Sequence, residues 1–445
     1  MTRSPDHLPS TDAALRSRPR RSTGVVLHRK GRGPRPARDA ARFILAALGV
    51  VTASALIIAS ALVLNTTSHI KPGIQLLQAN GQVAPAPQVG PLSGGANILL
   101  AGTDTRTGQG GEFDSPDQLA GSSGVGSNDV NMILHIAADH ASAAVISIPR
   151  DLEVPIPECP DPSGGSHGAQ SQAMFNTTLS EGGLSCVVLT AEQLTGLNIQ
   201  YAATINFDGV IAMADAVGGV TVCIDAPIND PSAGLNLPAG TQRISGANAL
   251  GFVRTRYGVG DGSDLGRISN QQVFLSALAR QVMGEGVLSN PIVLYQLANA
   301  AASNLQASAS LANPTTMVSL ALALKNISLG NIVFLQYPTV ADPANPNRVV
   351  PNDYAVSALM DALAADTPLQ LTGTLGVGAT VTGAPVLAPS PSATPSVTDL
   401  LRRPVATAAP TAEPTALAAP VDLPSSINGQ TAAQSTCSKS NDYQE

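Results

Sequence analysis

A group of arginines in residues 250–272 is the strongest chemical feature of this sequence. The segment reads LGFVRTRYGVGDGSDLGRISNQQ and places Arg254, Arg256 and Arg267 around a loop with three glycines. Arg254 and Arg256 share a side only in an extended chain, whereas Arg267 and Gln271 have the spacing of neighbours on a helix face. A planar guanidinium offers a fixed fork of donors to phosphate oxygens. Several arginines that converge here would therefore bind a phosphate or a pyrophosphate.

Positive charge is scarce in most of the chain, which makes this concentration informative. From residue 65 onward the sequence has 13 Lys and Arg against 28 Asp and Glu. Residues 90–370 contain nine basic side chains, and five of them lie in predicted loops at strand or helix ends: Arg106, Arg150, Arg254, Arg256 and Arg267. Nucleic acid is excluded as a partner, because it would require a broad basic face. A solvated charged surface is the alternative for the arginine segment.

The first 64 residues predict a membrane anchor. Residues 1–42 hold 11 Lys and Arg against three Asp and have no apolar periodicity, which indicates a disordered basic tail. Residues 43–64 are 22 residues without a charge, long enough to cross a bilayer as a transmembrane helix. The positive-inside rule then keeps the tail cytoplasmic and places residues 65–445 outside, in a single-pass protein of the cell membrane. A cleaved signal peptide is the alternative, although its apolar region is usually shorter.

The four cysteines agree with an extracytoplasmic location. Cys159, Cys186, Cys223 and Cys437 all follow the predicted membrane helix, and an even number in an oxidising compartment suggests two disulfides. Four cysteines allow three pairings, and their spacing matches no zinc motif. We favour Cys159 with Cys186, because that bond would close the Gly/Ser-rich stretch between them, which leaves Cys223 for Cys437. Alternatively, Cys223 is a small buried residue of an apolar strand.

Strands and helices alternate along residues 96–370, which predicts an α/β domain with a mixed central sheet covered by helices on both faces. The predicted strands are the short apolar runs 97–101, 130–136, 143–148, 201–206, 220–224 and 331–337. The predicted helices are 187–194, 207–217, 247–253, 266–282, 289–309, 313–326 and 352–365. This alternation positions Asp104, Asp129 and Arg150 beside strand ends.

The composition changes on both sides of this domain. Residues 65–95 form a polar stalk that contains proline and glycine. Residues 371–445 are rich in Ala, Pro and Thr, and a segment of this kind cannot bury a core, so we predict a linker and a C-terminal tail. Cys437 nevertheless suggests that the end of the chain is tied back to the domain.

Six motifs occur in order between residues 96 and 285, and together they resemble the LytR-CpsA-Psr family of cell-envelope proteins. They read NILLAGTDTR, SNDVNMILHI, VISIPRDLEVPI, INFDGVIAMADAVGGV, LPAGTQRISGANALGFVRTR and GDGSDLGRISNQQ. The resemblance implies an actinobacterial phosphotransferase that takes a glycopolymer from a polyprenyl-pyrophosphate carrier. The polymer would be attached to a sugar hydroxyl of peptidoglycan by a phosphodiester bond, in cell-wall assembly.

The resemblance also implies roles for individual residues. Asp104 and Asp129 match the family's magnesium-binding aspartates, with manganese as the alternative ion. The positions that match its pyrophosphate-contacting residues are Arg150, Arg254, Arg256, Arg267 and Gln271. We add Arg106 to this set because it follows a predicted strand end. The predicted catalytic residues are Arg150, Arg254, Arg256 and Asp129.

Two positions depart from the family pattern, and two other functions stay open. Ser127 and Asn270 stand where the family often has arginine. The candidates for a general base are Asp129 and Asp151. Hydrolysis of the same lipid pyrophosphate by water is one alternative function, and a non-catalytic regulator that binds envelope lipids is the other. The sequence does not name the polymer.

Overall fold

The computed structural model describes residues 71–78, 82–83, 94–109, 113, 115–122, 124–284, 290–381 and 419–441. The predicted basic tail, 1–42, and the predicted membrane helix, 43–64, lie outside this range. Within the described part of the chain, no helix combines the length and the apolar character that crossing a membrane would need. The described residues all belong to one compact unit.

The described residues contain short strands with helices between them. The strands are β1 (Ala96–Thr103), β2 (Asn128–Ile136), β3 (Ala143–Ile148), β4 (Glu153–Ile156), β5 (Cys159–Pro160), β6 (Ser166–His167), β7 (Gln170–Met174), β8 (Tyr201–Ile205), β9 (Val220–Ile224), β10 (Ile228–Asp230), β11 (Leu235–Leu237), β12 (Gly240–Ile244), β13 (Leu305–Ala307), β14 (Ile332–Gln336), β15 (Thr339–Ala341), β16 (Val349–Pro351), β17 (Leu369–Gln370), β18 (Ala379–Val381), β19 (Val421–Asp422), β20 (Gly429–Thr431) and β21 (Thr436–Ser438). The α-helices are α1 (Pro116–Gly121), α2 (Thr178–Thr195), α3 (Phe207–Ala216), α4 (Gly246–Arg254), α5 (Asp264–Gly284), α6 (Pro291–Asn304), α7 (Pro314–Lys325) and α8 (Asp353–Ala364).

Seven strands form the central sheet in the order β13-β8-β1-β2-β3-β14-β20. Its middle is mixed, because β1 runs parallel to β8 and antiparallel to β2, and β3 runs antiparallel to β2 and parallel to β14. Both edge strands, β13 and β20, are antiparallel to their neighbours. The edge strand β20 comes from the C-terminal part of the chain, beyond residue 418.

Helices cover both faces of this sheet. Successive side chains of a strand point to opposite faces, and β14 shows where each face packs. Val333 and Leu335 lie in a buried cluster with residues of α2 and α8, whereas Ile332 and Phe334 lie in another with residues of α7. The predicted fold class, a mixed α/β sheet with helices on both faces, is therefore confirmed.

A second sheet of four strands, β12-β9-β21-β18, lies against α4 and α5. Its core includes Val222 of β9, Phe252 of α4 and Phe274 of α5. The disulfide Cys223–Cys437 joins β9 to β21, and a second disulfide joins Cys159 to Cys186. Both favoured pairings are present, and the end of the chain is tied back to the domain.

Three boundaries differ from the sequence-based predictions. The helix predicted for 289–309 ends at Asn304, because the next three residues pair with β8 as an edge strand. The helix predicted for 187–194 begins at Thr178. Gly182 and Gly183 kink it, and because glycine disfavours a helix, the sequence did not predict its first turns. The fold also continues through β18 into the segment predicted as a linker from residue 371.

Candidate functional site

The predicted anion-binding residues meet at one end of the central sheet. β1 ends at Thr103, which pairs with Asn128 at the start of β2, so Asp104 and Asp129 lie on neighbouring chain segments. A cavity of about 300 Å³ opens there. The charged side chains that line it are Asp104, Arg106, Asp129, Arg150, Arg254, Arg256 and Arg267. Seven of the eight predicted site residues thus converge on one cavity, although they come from five segments.

Backbone geometry holds the Asp104 carboxylate at the cavity. Its Oδ1 accepts hydrogen bonds from the backbone N of Ser127, at 2.7 Å, and from Ser122 Oγ, at 3.0 Å. Gly126 is required for this approach, because it has a φ of 71° and a Cβ there would lie 2.7 Å from Asp104 Oδ1. Ser127 therefore supports Asp104 through its backbone, at a position where the family often has arginine.

Arg150 follows β3 and lies among three carboxylates. Its Nη1 donates to Asp129 Oδ1 and Oδ2 at 3.0 and 3.1 Å. Its Nε lies 3.5 Å from Asp151 Oδ2 and 3.8 Å from Asp264 Oδ1. Burial alone would lower the pKa of Arg150, but the three carboxylates together raise it. The guanidinium is therefore held charged and in a fixed orientation beside the cavity.

A buried ion pair at the start of α5 supports this arrangement. Asp264 and Arg267 are one helical turn apart, with 2.5 Å between Oδ1 and Nη2 and side-chain exposures of 8% and 7%. Arg267 Nη2 also donates to the backbone oxygen of Asp129 at 2.7 Å. Burial raises the pKa of the Asp264 carboxyl, and Arg267 and Arg150 oppose that rise. The Nε atoms of both arginines are buried without a hydrogen-bond partner among the described residues.

Aromatic rings support the other arginines. Phe207, the first residue of α3, packs against Phe113 with 5.3 Å between ring centroids. The guanidinium carbons of Arg254 and Arg106 lie over the Phe207 ring, 4.2 and 5.0 Å from its centroid. Arg256 lies 5.8 Å from the centroid of Tyr257. A cation over a ring face is attracted by the ring quadrupole, and this contact does not use the N–H donors.

The turn between α4 and α5 carries Arg256 and Tyr257 into the cavity lining. Thr255 Oγ1 donates to Asp230 Oδ2 at 2.7 Å, and both residues are buried. Burial tends to raise the pKa of Asp230, but hydrogen bonds from Ser232, Thr255 and the backbone lower it overall. Asp230 is therefore an ionised anchor beneath the turn.

Gln271, the eighth predicted residue, is not among the residues that line this cavity. Its Nε2 donates to the backbone oxygen of Val253 at 2.8 Å, so it supports the end of α4 beside Arg254. Asn270, where the family often has arginine, is fully buried and donates to the Phe252 backbone oxygen at 2.5 Å. Both side chains connect α5 to α4, and neither adds a charge to the cavity.

Sequence reasoning missed Asp264, Phe207 and Tyr257. Asp264 has a local signal, because it lies three residues before Arg267, within reach of an ion pair on a helix. No local signal marks Phe207, which meets Arg254 across 47 residues of sequence only because α3 and α4 pack together. Tyr257 is 57% exposed at the cavity and would be read from sequence as an ordinary loop residue.

The chain is similar in sequence to several known proteins. The model of the LytR_cpsA_psr family matches residues 68–365. The cell wall biosynthesis protein LcpA of Corynebacterium glutamicum is 30% identical over 267 residues, which cover 56% of this chain and 51% of LcpA. The probable cell wall biosynthesis protein LcpB of the same bacterium is 37% identical over 214 residues, or 48% of each chain.

A third relative has a name that describes a reaction. It is the polyisoprenyl-teichoic acid–peptidoglycan teichoic acid transferase TagU of Oceanobacillus iheyensis. TagU is 30% identical over 181 residues, which cover 41% of this chain and 49% of TagU. The matched part of this chain spans about half the length of each of these three relatives.

Proposed function

The chain belongs to the LytR_cpsA_psr family, and on that premise we propose that it is a phosphotransferase of cell-wall assembly. It moves a glycopolymer from a polyprenyl-pyrophosphate carrier to a sugar hydroxyl of peptidoglycan and forms a phosphodiester bond. The names of LcpA and TagU support this proposal, since they describe cell wall biosynthesis and transfer of teichoic acid to peptidoglycan.

The observation that carries the proposal is the convergence of five arginines on one cavity of about 300 Å³, in a domain with few other basic residues. Phosphoryl transfer needs positioning and neutralisation of charge more than covalent help from the protein. Arg254 and Arg256 have the fork geometry for the phosphate oxygens. Arg150 and Arg267 are ion-paired, so they also set the shape of the site.

The proposed reaction balances without an external oxidant or reductant. The oxygen of the acceptor hydroxyl attacks the phosphorus that carries the glycopolymer, and the bond from this phosphorus to the bridging oxygen breaks. Polyprenyl phosphate leaves with that oxygen, and the hydroxyl proton passes to a base. Asp129 and Asp151 are the two candidate bases. Asp129 lines the cavity, with both oxygens bonded to Arg150, and Asp151 lies between Arg150 and Arg348.

Magnesium fits this donor set, with manganese as the alternative ion. Asp104 and Asp129 line the same cavity, and the hydrogen bonds to Asp104 from Ser122 and Ser127 both go to Oδ1. Magnesium commonly binds one or two carboxylates together with substrate phosphate and water. Because the chain would supply only these two carboxylates, substrate oxygens and water would complete the shell. A bound ion would neutralise charge on the phosphoryl oxygens.

We also propose a membrane location. Residues 43–64 would anchor the chain, with residues 1–42 in the cytoplasm and the domain outside, next to its lipid-linked donor. Labelling of intact cells with a membrane-impermeant thiol reagent tests this topology. A cysteine introduced in 65–95 should react and one in 1–42 should not, and the reverse pattern would contradict the proposal.

Transfer by the purified full-length chain tests the function. The chain, in detergent with magnesium, is incubated with a lipid-linked glycopolymer and peptidoglycan. Polymer on the glycan indicates a transferase, free phosphorylated polymer a hydrolase, and no product a binding protein. Arg254→Ala together with Arg256→Ala should abolish transfer. Arg243→Ala is the matched control, because Arg243 is exposed and is not among the residues that line the cavity.

A further inference from the structure

The C-terminal segment 419–441 lies beyond the family match, which ends at residue 365. Its placement in the fold is nevertheless specified by several kinds of contact. β20 extends the central sheet beside β14, and β21 lies between β9 and β18 in the second sheet. Gln430 is buried and donates to the Gln272 backbone oxygen at 2.7 Å and to Ser276 Oγ at 2.8 Å, both on α5. Cys437 is bonded to Cys223.

After β21 the chain runs along the turn that carries Arg256 and Tyr257. The backbone N of Gly260 donates to the Lys439 oxygen at 2.9 Å, and the backbone N of Asn441 donates to the Gly258 oxygen at 3.1 Å. Asn441 Nδ2 donates to the Tyr257 oxygen at 3.0 Å. Three bonds thus connect residues 439–441 to the outer side of this turn.

Ser438 links the tail to the helices on either side of the turn. Its Oγ donates to Asn270 Oδ1 of α5 at 2.5 Å, and all of these side-chain atoms belong to buried residues. Asn270 Nδ2 in turn donates to the Phe252 oxygen of α4, also at 2.5 Å. Arg254 ends α4 and Arg267 lies on α5, so this chain of hydrogen bonds spans the two helices that deliver arginines to the cavity.

The two sides of the turn are therefore held by different parts of the sequence. The inner side is anchored by Thr255 and Asp230, which lie within the matched family region. The outer side is held by the tail. The turn itself contains Gly258, Gly260 and Gly262, which restrict the backbone little. Its position depends on these external contacts together with buried Val259 and the bond from the Gly262 backbone N to the Val259 oxygen at 3.1 Å.

We propose that residues 438–441 position Arg254, Arg256 and Tyr257, and that the anion site is incomplete without them. The inference rests on the proposed function in one respect, namely that this cavity binds pyrophosphate. Residues 438–441 are positioning residues, because they act through the turn and α5 and are not among the residues that line the cavity.

Two variants of the full chain test the proposal, each with a matched control. Asn441→Ala removes the side-chain bond to Tyr257 and keeps the backbone bond to Gly258, and its control is Asp422→Ala, an exposed residue elsewhere in the same tail. A chain that ends at Lys439 loses both bonds that Asn441 makes to the turn and also the bond from the Ser440 backbone N to Asp225 Oδ1, and its control is a chain that ends at Asn441. The affinity for inorganic pyrophosphate is measured by calorimetry at 25 °C with magnesium present, and Tm is measured for every variant.

Asn441→Ala loses one hydrogen bond to the turn, which corresponds to about 2- to 10-fold weaker pyrophosphate binding. The chain that ends at Lys439 loses two bonds to the turn, which corresponds to roughly 4- to 100-fold weaker binding. Both controls should bind like the unmodified chain. A role limited to folding would lower Tm and leave affinity unchanged well below Tm.

The outcomes separate this inference from the proposed function. Weaker binding by the variants, with Tm well above 25 °C, supports the inference. Unchanged affinity in Asn441→Ala and in the shorter chain overturns it while leaving the anion site intact. If the chain that ends at Lys439 does not fold, Asn441→Ala decides the question alone. Absence of pyrophosphate binding by the unmodified chain contradicts the anion site itself, and this inference with it.

Discussion

The candidate site has two halves that hold their arginines by different interactions. In the ion-paired half, Arg150 and Arg267 contact Asp129 and Asp264, and the Asp264–Arg267 pair is almost completely buried. In the aromatic half, Arg106 and Arg254 lie over Phe207, and Arg256 lies near Tyr257. Both halves line one cavity.

This difference indicates which arginines hold the site in place and which bind the anion. A buried ion pair is expensive to break, because the remaining charge has no partner. Arginines of that kind hold the backbone of the site in place, as Arg267 does through the Asp129 oxygen. A guanidinium over a ring is held more weakly and presents its donor edge to a ligand. We therefore expect stability to depend on the first half and anion affinity on the second.

The largest effect is expected from Arg267→Ala. This substitution leaves the Asp264 carboxylate buried without its nearest partner, so the free energy of unfolding should fall by about 3–5 kcal/mol. Urea denaturation of the purified chain measures it. The double variant Asp264→Leu with Arg267→Met should recover most of that stability, because apolar side chains of similar size replace the buried pair. A loss from Arg267→Ala no larger than that from Arg254→Ala would break the distinction between the halves.

Arg254→Ala should instead reduce binding. Loss of charge-assisted hydrogen bonds corresponds to about 1.5–3 kcal/mol, or roughly 10- to 150-fold in pyrophosphate affinity. The free energy of unfolding should change by less than about 1 kcal/mol, because the cation–π contact with Phe207 contributes little and Arg254 is not part of the buried Asp264–Arg267 pair. Arg254→Lys should bind almost as weakly, since a point charge does not reproduce the fork. Normal binding by Arg254→Ala with Arg256→Ala would contradict the anion site.

Phe207→Leu should weaken pyrophosphate binding by less than Arg254→Ala does, and it tests the role of the aromatic ring. It keeps an apolar side chain at the start of α3 and removes the ring beneath Arg254 and Arg106. A cation–π contact of about 0.5–1 kcal/mol corresponds to roughly 2- to 5-fold weaker pyrophosphate binding. Calorimetry measures this affinity. The control is Phe274→Leu, because Phe274 is buried and packs against Phe252 of α4, whereas Arg106 and Arg254 lie over Phe207. Equal effects of the two substitutions would mean that the ring acts only through packing.

The smallest expected effect is the pH dependence of the stability that Asp230 contributes beneath the turn of Arg256 and Tyr257. Hydrogen bonds lower the pKa of Asp230 in the folded chain, so its contribution to stability is fully present above the unfolded value of about 3.9. That contribution is lost as pH falls through the lower, folded pKa. The difference in Tm between the unmodified chain and Asp230→Asn should therefore shrink between pH 6 and pH 3. A difference that grows on acidification would reverse the assigned direction of the pKa shift.

Much of the fold follows from local patterns in the sequence. Runs such as 130–136 and 143–148 are mostly apolar, as a buried strand requires, although Asn131, His135 and Ser147 are buried there as well. The boundaries near Leu305 were less predictable, because three residues join a sheet edge only when a partner strand is present. The same holds for β18 and the tail, which pack as strands despite lying in or beyond a segment with the composition of a linker.

The sequence by itself determined which residues could bind an anion, since arginines are rare in this domain and cluster beside strand and helix ends. It also determined the cysteine set and the alternation of strands and helices. Only the tertiary structure decided which arginines are ion-paired and which lie over aromatic rings, and that Gln271 supports a helix end beside the cavity. It also showed that Arg280 of α5 donates to the backbone oxygens of Ala432 and Gln434 in the C-terminal segment. The physical reason is that these contacts join residues far apart in sequence, whose distances are set by packing and not by local spacing.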